Sequence, residues 1–167
     1  MFVPFESISS SSRVWIYQAD RKFSRQDITI ISEQLKLFTE EWAAHGNPLK
    51  ASFEVRYDHF ILLAADEDYN AASGCSIDSS VHVIKEIERR LNVSLFDRNK
   101  VAFKKDHGVE LVAIHDLKRK FLEGAWNERT LVFNNVINTK GQLDNEWLAP
   151  AGSTWVKRYV PNETLAN

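Results

Sequence analysis

The chain has 167 residues, 44% hydrophobic and 26% charged, with a formal net charge of -2. This is the make-up of a folded globular protein with a sizeable core, and it excludes an intrinsically disordered chain. A pI near 6.2 gives no electrostatic case for binding nucleic acid or an acidic membrane surface.

Residues 1–12 read as a flexible N-terminal arm, ending in the serine-rich stretch Ser7–Ser12. The first residues lack a basic segment followed by a long apolar run, so they do not read as a signal peptide. No apolar stretch approaches the length that spans a bilayer. A single cysteine, Cys75, cannot form an internal disulfide, and a cytoplasmic protein is expected.

Arg13–Ala19 is rich in aromatic and β-branched residues and predicts a first strand. Ser24, followed three residues later by Asp27, marks a helix start. Ile28, Ile31, Leu35, Phe38 and Trp42 then recur at helical spacing, so a helix is expected over Ser24–Ala44. Burying those five side chains is worth roughly 10 kcal/mol before entropy, at about 2 kcal/mol each. His45-Gly46 reads as its C-cap.

In Ala51–Tyr57, apolar Ala51, Phe53, Val55 and Tyr57 alternate with Ser52, Glu54 and Arg56, the pattern of a strand with one wet face. His59–Ala65 is apolar on both faces and predicts a central strand, joined to its predecessor by a tight hairpin. A second helix is expected from Ser76, buried through Ile77, Val81, Ile84, Ile87 and Leu91 and ended by Asn92. Lys100–Lys105 and Val109–Ile114 read as strands turned by Asp106-His107-Gly108.

The order β-α-β-β-α-β predicts an α+β, ferredoxin-like core over residues 13–114, an antiparallel sheet with two helices on one face. Residues 115–167 read as a C-terminal α/β extension of the same domain. Within it, Asp116–Glu123 and Thr139–Trp147 are expected as helices and Thr130–Asn134 as a strand. Trp126, Trp147 and Trp155 lie in this extension and call for burial on the core or a partner.

The loop entering the second helix gathers the candidate site. Gly74, Cys75 and Ser76 would offer backbone N–H groups at a helix start, where anions are attracted. Ser79 adds a hydroxyl, and Arg56 or Arg13 would reach over from the sheet. Cys75 is also the candidate nucleophile, with His45 or His82 as base and Asp78 or Asp66 as orienter. The plainer reading makes Cys75 a small buried residue, Ser76 the helix cap and Asp78 a partner of the helix dipole.

The five histidines show no metal-ligand spacing, and one cysteine cannot build a thiolate zinc site. No cofactor is implied. Lys118-Arg119-Lys120 reads as a solvated face, and the RNA-binding motifs of open sheets are missing.

Several segments together carry a resemblance: 12–19, Trp42-Ala43-Ala44-His45-Gly46, Gly74–Ser80, Leu95-Phe96-Asp97-Arg98 and Phe133-Asn134-Asn135. They are similar to a family of roughly 160-residue Bacteroidetes proteins whose members often carry the genome label "ABC transporter ATPase". The resemblance transfers no mechanism, and the label does not fit these residues. No G-x-x-x-x-G-K-[ST] string is present to cradle phosphates. Phe60–Glu67 imitates only the apolar strand and acidic end of a Walker B segment.

The expected function is a non-catalytic cytoplasmic ligand-binding or protein-interaction module. A homodimer through sheet or tail is its expected association, since an open sheet leaves an edge and a face uncovered. The alternative is a small enzyme using Cys75.

Overall fold

A computed structural model describes residues 1–162 and shows a mixed α+β protein. The elements begin with β1 (Arg13–Gln18), α1 (Arg25–Glu41), two-residue strands β2 (Ala43–Ala44) and β3 (Asn47–Pro48), and β4 (Ala51–Arg56). Next come β5 (Phe60–Ala65), α2 (Gly74–Leu91), β6 (Lys100–Lys105) and β7 (Gly108–Ala113). The order closes with α3 (Leu117–Leu122), β8 (Leu131–Phe133), α4 (Lys140–Glu146) and β9 (Leu148–Pro150). No helix among the described residues is long and apolar enough to cross a membrane.

The chain divides into two compact units, Met1–Asp97 with Asn138–Asp144, and Arg98–Ile137 with Asn145–Asn167. The expected division between residues 114 and 115 does not coincide with this one. Residues 163–167 of the expected extension lie outside the described residues.

In the first unit β5 is the central strand, antiparallel to β1 on one edge and to β4 on the other. Every side chain of β5 is fully buried, which is why the run is apolar on both faces. Its odd face, Ile61, Leu63 and Ala65, joins Tyr17 of β1, Ile31 and Leu35 of α1, and Ile84, Ile87 and Leu91 of α2 in one core. Both long helices therefore cover the same face of the sheet. On the even face Phe60, Leu62 and Ala64 are buried as well, and so is Ser52, which the alternation of β4 placed toward water. The uncovered face expected as a route to dimerisation does not exist in this sheet.

The expected four-stranded ferredoxin-like sheet does not form, because β6 belongs elsewhere. β6 keeps the expected hairpin with β7 through the turn at Asp106-His107, but its other edge, expected beside β1, takes β8, with Phe103 opposite Val132. Beside β1 runs a short return of the chain instead. Val14 donates its N–H to Asn138 O at 2.9 Å, and Lys140 donates to Ser12 O at 2.9 Å. Residues 1–12 carry fixed partners where a flexible arm was expected. Val3 N–H donates to Ala51 O at 2.9 Å, Ala51 N–H to Met1 O at 3.0 Å, and Phe5 and Ile8 are buried.

Helix α1 starts as its sequence predicts, with Ser24 and Asp27 forming a reciprocal capping box. It ends earlier than expected, at Glu41, with Trp42 extended. His45 (φ 51°) and Gly46 (φ 78°) are therefore not a helix C-cap: both are left-handed and turn β2 back on β3. Tyr57 and Asp58, with φ of 55° and 51°, give the β4–β5 hairpin the mirror-type turn that suits twisted strands.

In the second unit the strand order is β7-β6-β8-β9. Trp126 anchors its core: the ring stacks on Phe103 at 5.5 Å, meets the edge of Phe121 at 5.1 Å, and donates Nε1–H to Leu117 O at 2.8 Å. Trp147 is buried too, donating to Asn135 Oδ1 at 2.9 Å, whereas Trp155 stays 36% exposed. The short helix closed by Gly124 (φ 81°) forms as expected.

His59, just past the hairpin turn, is buried, and its Nε2 has no hydrogen-bond partner. Burial holds its pKa below the usual imidazole value, against the opposing pull of Asp20 and Asp58. The unfolded chain therefore binds the proton more readily than the folded one. Stability from the neutral ring is complete above about pH 6.5 and is lost progressively as the pH falls below it. Urea midpoints measured between pH 8 and pH 5 are expected to fall with pH, and His59→Gln is expected to flatten that slope.

Candidate functional site at the amino end of α2

Helix α2 begins at Gly74, two residues before the expected Ser76, because Ser73 is the capping residue. Ser73 Oγ accepts Ser76 N–H at 3.1 Å, and Ser76 Oγ accepts Ser73 N–H at 2.7 Å. This reciprocal box satisfies two donors that a bare helix start leaves open. Ser76 therefore sits inside the first turn, buried, with its amide already used. Only the Gly74 and Cys75 amides of the expected trio lack a partner among the described residues.

The buried stripe of α2 is rotated from the expected one. Ser76 and Ser80 replace Ile77 and Val81 as the buried positions of its first half, and the latter are half-exposed. Two aromatic rings explain the rotation. Trp42 donates Nε1–H to Ser76 O at 2.8 Å, and the Tyr17 hydroxyl bonds the Ser80 side chain. Small serines let these rings approach the helix while their polar tips find partners. Burial raises the Tyr17 pKa, and the Ser80 bond offsets part of that.

Cys75 is exposed, not packed beneath the sheet as the plainer reading held. No hydrogen bond ties it to a histidine or carboxylate among the described residues. His82 and Asp78 are themselves exposed on the helix. The Ser79 hydroxyl turns back to Cys75 O at 3.0 Å and so does not project toward a ligand.

Arg56 does not join this group. It stands opposite Phe60, at the end of β4 away from Ala51, about 17 Å along the strand at the usual rise per residue. It also lies on the even face, where Nε donates to Glu54 Oε2 at 2.6 Å and the guanidinium rests over Phe5 at 5.4 Å. Arg13 is at the nearer end, opposite Ala65, but stacks over Trp15 at 4.8 Å and pairs with Glu67 at 3.8 Å.

The acidic pair after β5 has structural duties. Asp66 accepts Asp68 N–H at 3.1 Å and faces Lys50 at 4.0 Å, while Glu67 accepts Ala72 N–H at 3.3 Å. These bonds shape the loop that leads to Ser73. Asn70 ties it to the β2–β3 turn through Asn47 O and Pro48 O, at 3.1 and 3.3 Å. Sequence reasoning missed these tethers and the Trp42 bond; a tryptophan ending a buried stripe was the one signal for the latter.

Two clefts of the first unit lie at the opposite, carboxyl end of α2. One, of about 290 Å³, is lined by Gln34, Glu86, Arg89 and Arg90. The other, of about 450 Å³, is lined by Asp20, Glu88, Arg89, Asn92, Val93 and Ser94. Among the described residues no group of three or more His, Cys, Asp or Glu side chains is placed to hold a metal ion. No protein-family model, curated protein or solved structure matches the chain.

Chemically, the start of α2 is a well-capped helix end with two free amides and an exposed thiol. Ser73→Ala is expected to cost about 1 kcal/mol of stability, the usual value of a lost cap. Cys75→Ser is expected to change it by less than about 0.5 kcal/mol, as an exposed substitution does. Denaturant titration of both variants checks the pair.

Proposed function

We propose that the protein is a non-catalytic interaction module that takes up an extended partner strand along β7. The observation that carries this reading is the free outer edge of that strand. Ile114 donates its N–H to Asn99 O at 2.9 Å, and this pair continues the β6–β7 register, in which Ala113 stands opposite Lys100. Bonding alternates along an antiparallel strand. The even residues Gly108, Glu110 and Val112 therefore bond to β6, and the N–H and C=O groups of Val109, Leu111 and Ala113 point away from it.

β7 is the terminal strand of its sheet, and these outward groups have no partner among the described residues. Val109, Leu111 and Ala113 are apolar and partly exposed, and the strand's one charge, Glu110, faces Lys105 at 3.9 Å. An edge with no proline and no lysine of its own is a template for another strand.

A second reading, covalent chemistry at Cys75, draws support from the exposure of that thiol in the first turn of α2. It requires a base, and no histidine or carboxylate among the described residues is hydrogen-bonded to that thiol, so the interaction reading stands first.

Leu111→Pro removes an outward donor that the fold does not use, and proline is tolerated at such edge positions. The variant is expected to keep its circular dichroism spectrum. A blocked alternating threonine–valine peptide, matched to β7 in length, is expected to shift the amide resonances of Val109, Leu111 and Ala113 in the natural chain and none in the variant. Unchanged resonances in the natural chain, at a dilution where it is monomeric, would remove the reading.

A further inference from the structure

Resting on that reading, we infer that the strand received by β7 is β7 of a second copy, paired antiparallel about a two-fold axis at Leu111. A strand pairs symmetrically with its own copy only if some residue stands opposite itself, since bonded and non-bonded pairs alternate along the ladder. Centring on Leu111 sets Val109 opposite Ala113 of the partner strand. All three outward-facing residues then meet outward-facing residues, so every free N–H and C=O on the edge is matched.

Charge selects this register over its neighbour. Centring on Glu110 would place two carboxylates directly opposite at the closer, non-bonded spacing, where like charges destabilise. Centring on Leu111 sets Glu110 against Val112, and no like charges of β7 face one another. Centring on Val112 or Val109 shortens the overlap, leaving outward groups of β7 without a β7 partner. The symmetric arrangement also closes on itself, so one contact gives a dimer and not a fibre.

A six-residue strand pair buries less than the roughly 1,200–2,000 Å² of a standard interface. The association is therefore concentration-dependent, with monomer at high dilution and dimer at high concentration. Leu111 facing Leu111 also provides a selective lever: a charge introduced there meets its own copy.

Sedimentation velocity of the full chain over a wide concentration range tests the inference, alone and with Leu111→Lys and Leu111→Glu. The natural chain is expected to dimerise with rising concentration. Each charged variant is expected to weaken self-association at least roughly tenfold. An equimolar mixture of the two variants is expected to regain it, because lysine then faces glutamate. Because each variant is also checked for unchanged thermal unfolding, a folding defect is separated from a contact defect. A natural chain that stays monomeric while the peptide still shifts the β7 amides overturns this inference and leaves the strand-uptake reading intact. A dimer indifferent to both charges, with no peptide response at β7, overturns both.

Discussion

The first unit depends on the complete burial of β5. Six consecutive residues without water on either face must find all their backbone partners in neighbouring strands, because an unpaired buried amide costs as much as a lost hydrogen bond. β1 and β4 supply those partners in unbroken register on both edges. Once β5 is fixed, its odd residues define the surface on which α1 and α2 pack. The positions of Ile31, Leu35, Ile84 and Ile87 follow from that surface.

The same constraint shapes the start of α2. The chain leaves Ala65 and must reach the helix-covered face within a short loop, which Asp66, Glu67 and Asn70 brace by hydrogen bonds to backbone groups. Trp42, at the end of α1, and Tyr17, in β1, then meet the helix on its serine side. The small polar residues that suggested a ligand site are used in part for capping and in part for close approach of aromatic rings. Their residue types fit both purposes, and only the positions of the rings separate them.

The outer edge of β7 has a different origin. Its pairing with β6 comes from a two-residue turn, and a hairpin satisfies only one edge of each strand. β6 gains β8 on its other side, while β7 ends the sheet. Edge strands of natural proteins are commonly blunted by charge or proline. Here the outward positions are valine, leucine and alanine, and the glutamate between them is paired within its own chain.

Local order was legible in the residues alone. The Ser24 cap, the helical stripe of α1, the two-faced apolar run of β5, the stop at Asn92 and the Gly124 turn all rest on interactions within a few residues of each other. Periodicity and turn chemistry report such interactions directly. Three matters were decided only by tertiary structure. Strand order was one, because the second edge of β6, once β7 has filled the first, can pair with β1 or with β8, and it takes β8. The second was the face of α2, where isoleucine and valine yielded buried positions to Ser76 and Ser80 because two aromatic rings had to fit. The third was the place of Arg56, which the β4–β5 register sets opposite Phe60, at the far end of the strand from Ala51. Which surfaces meet is a long-range question, and side-chain spacing along one segment does not contain the answer.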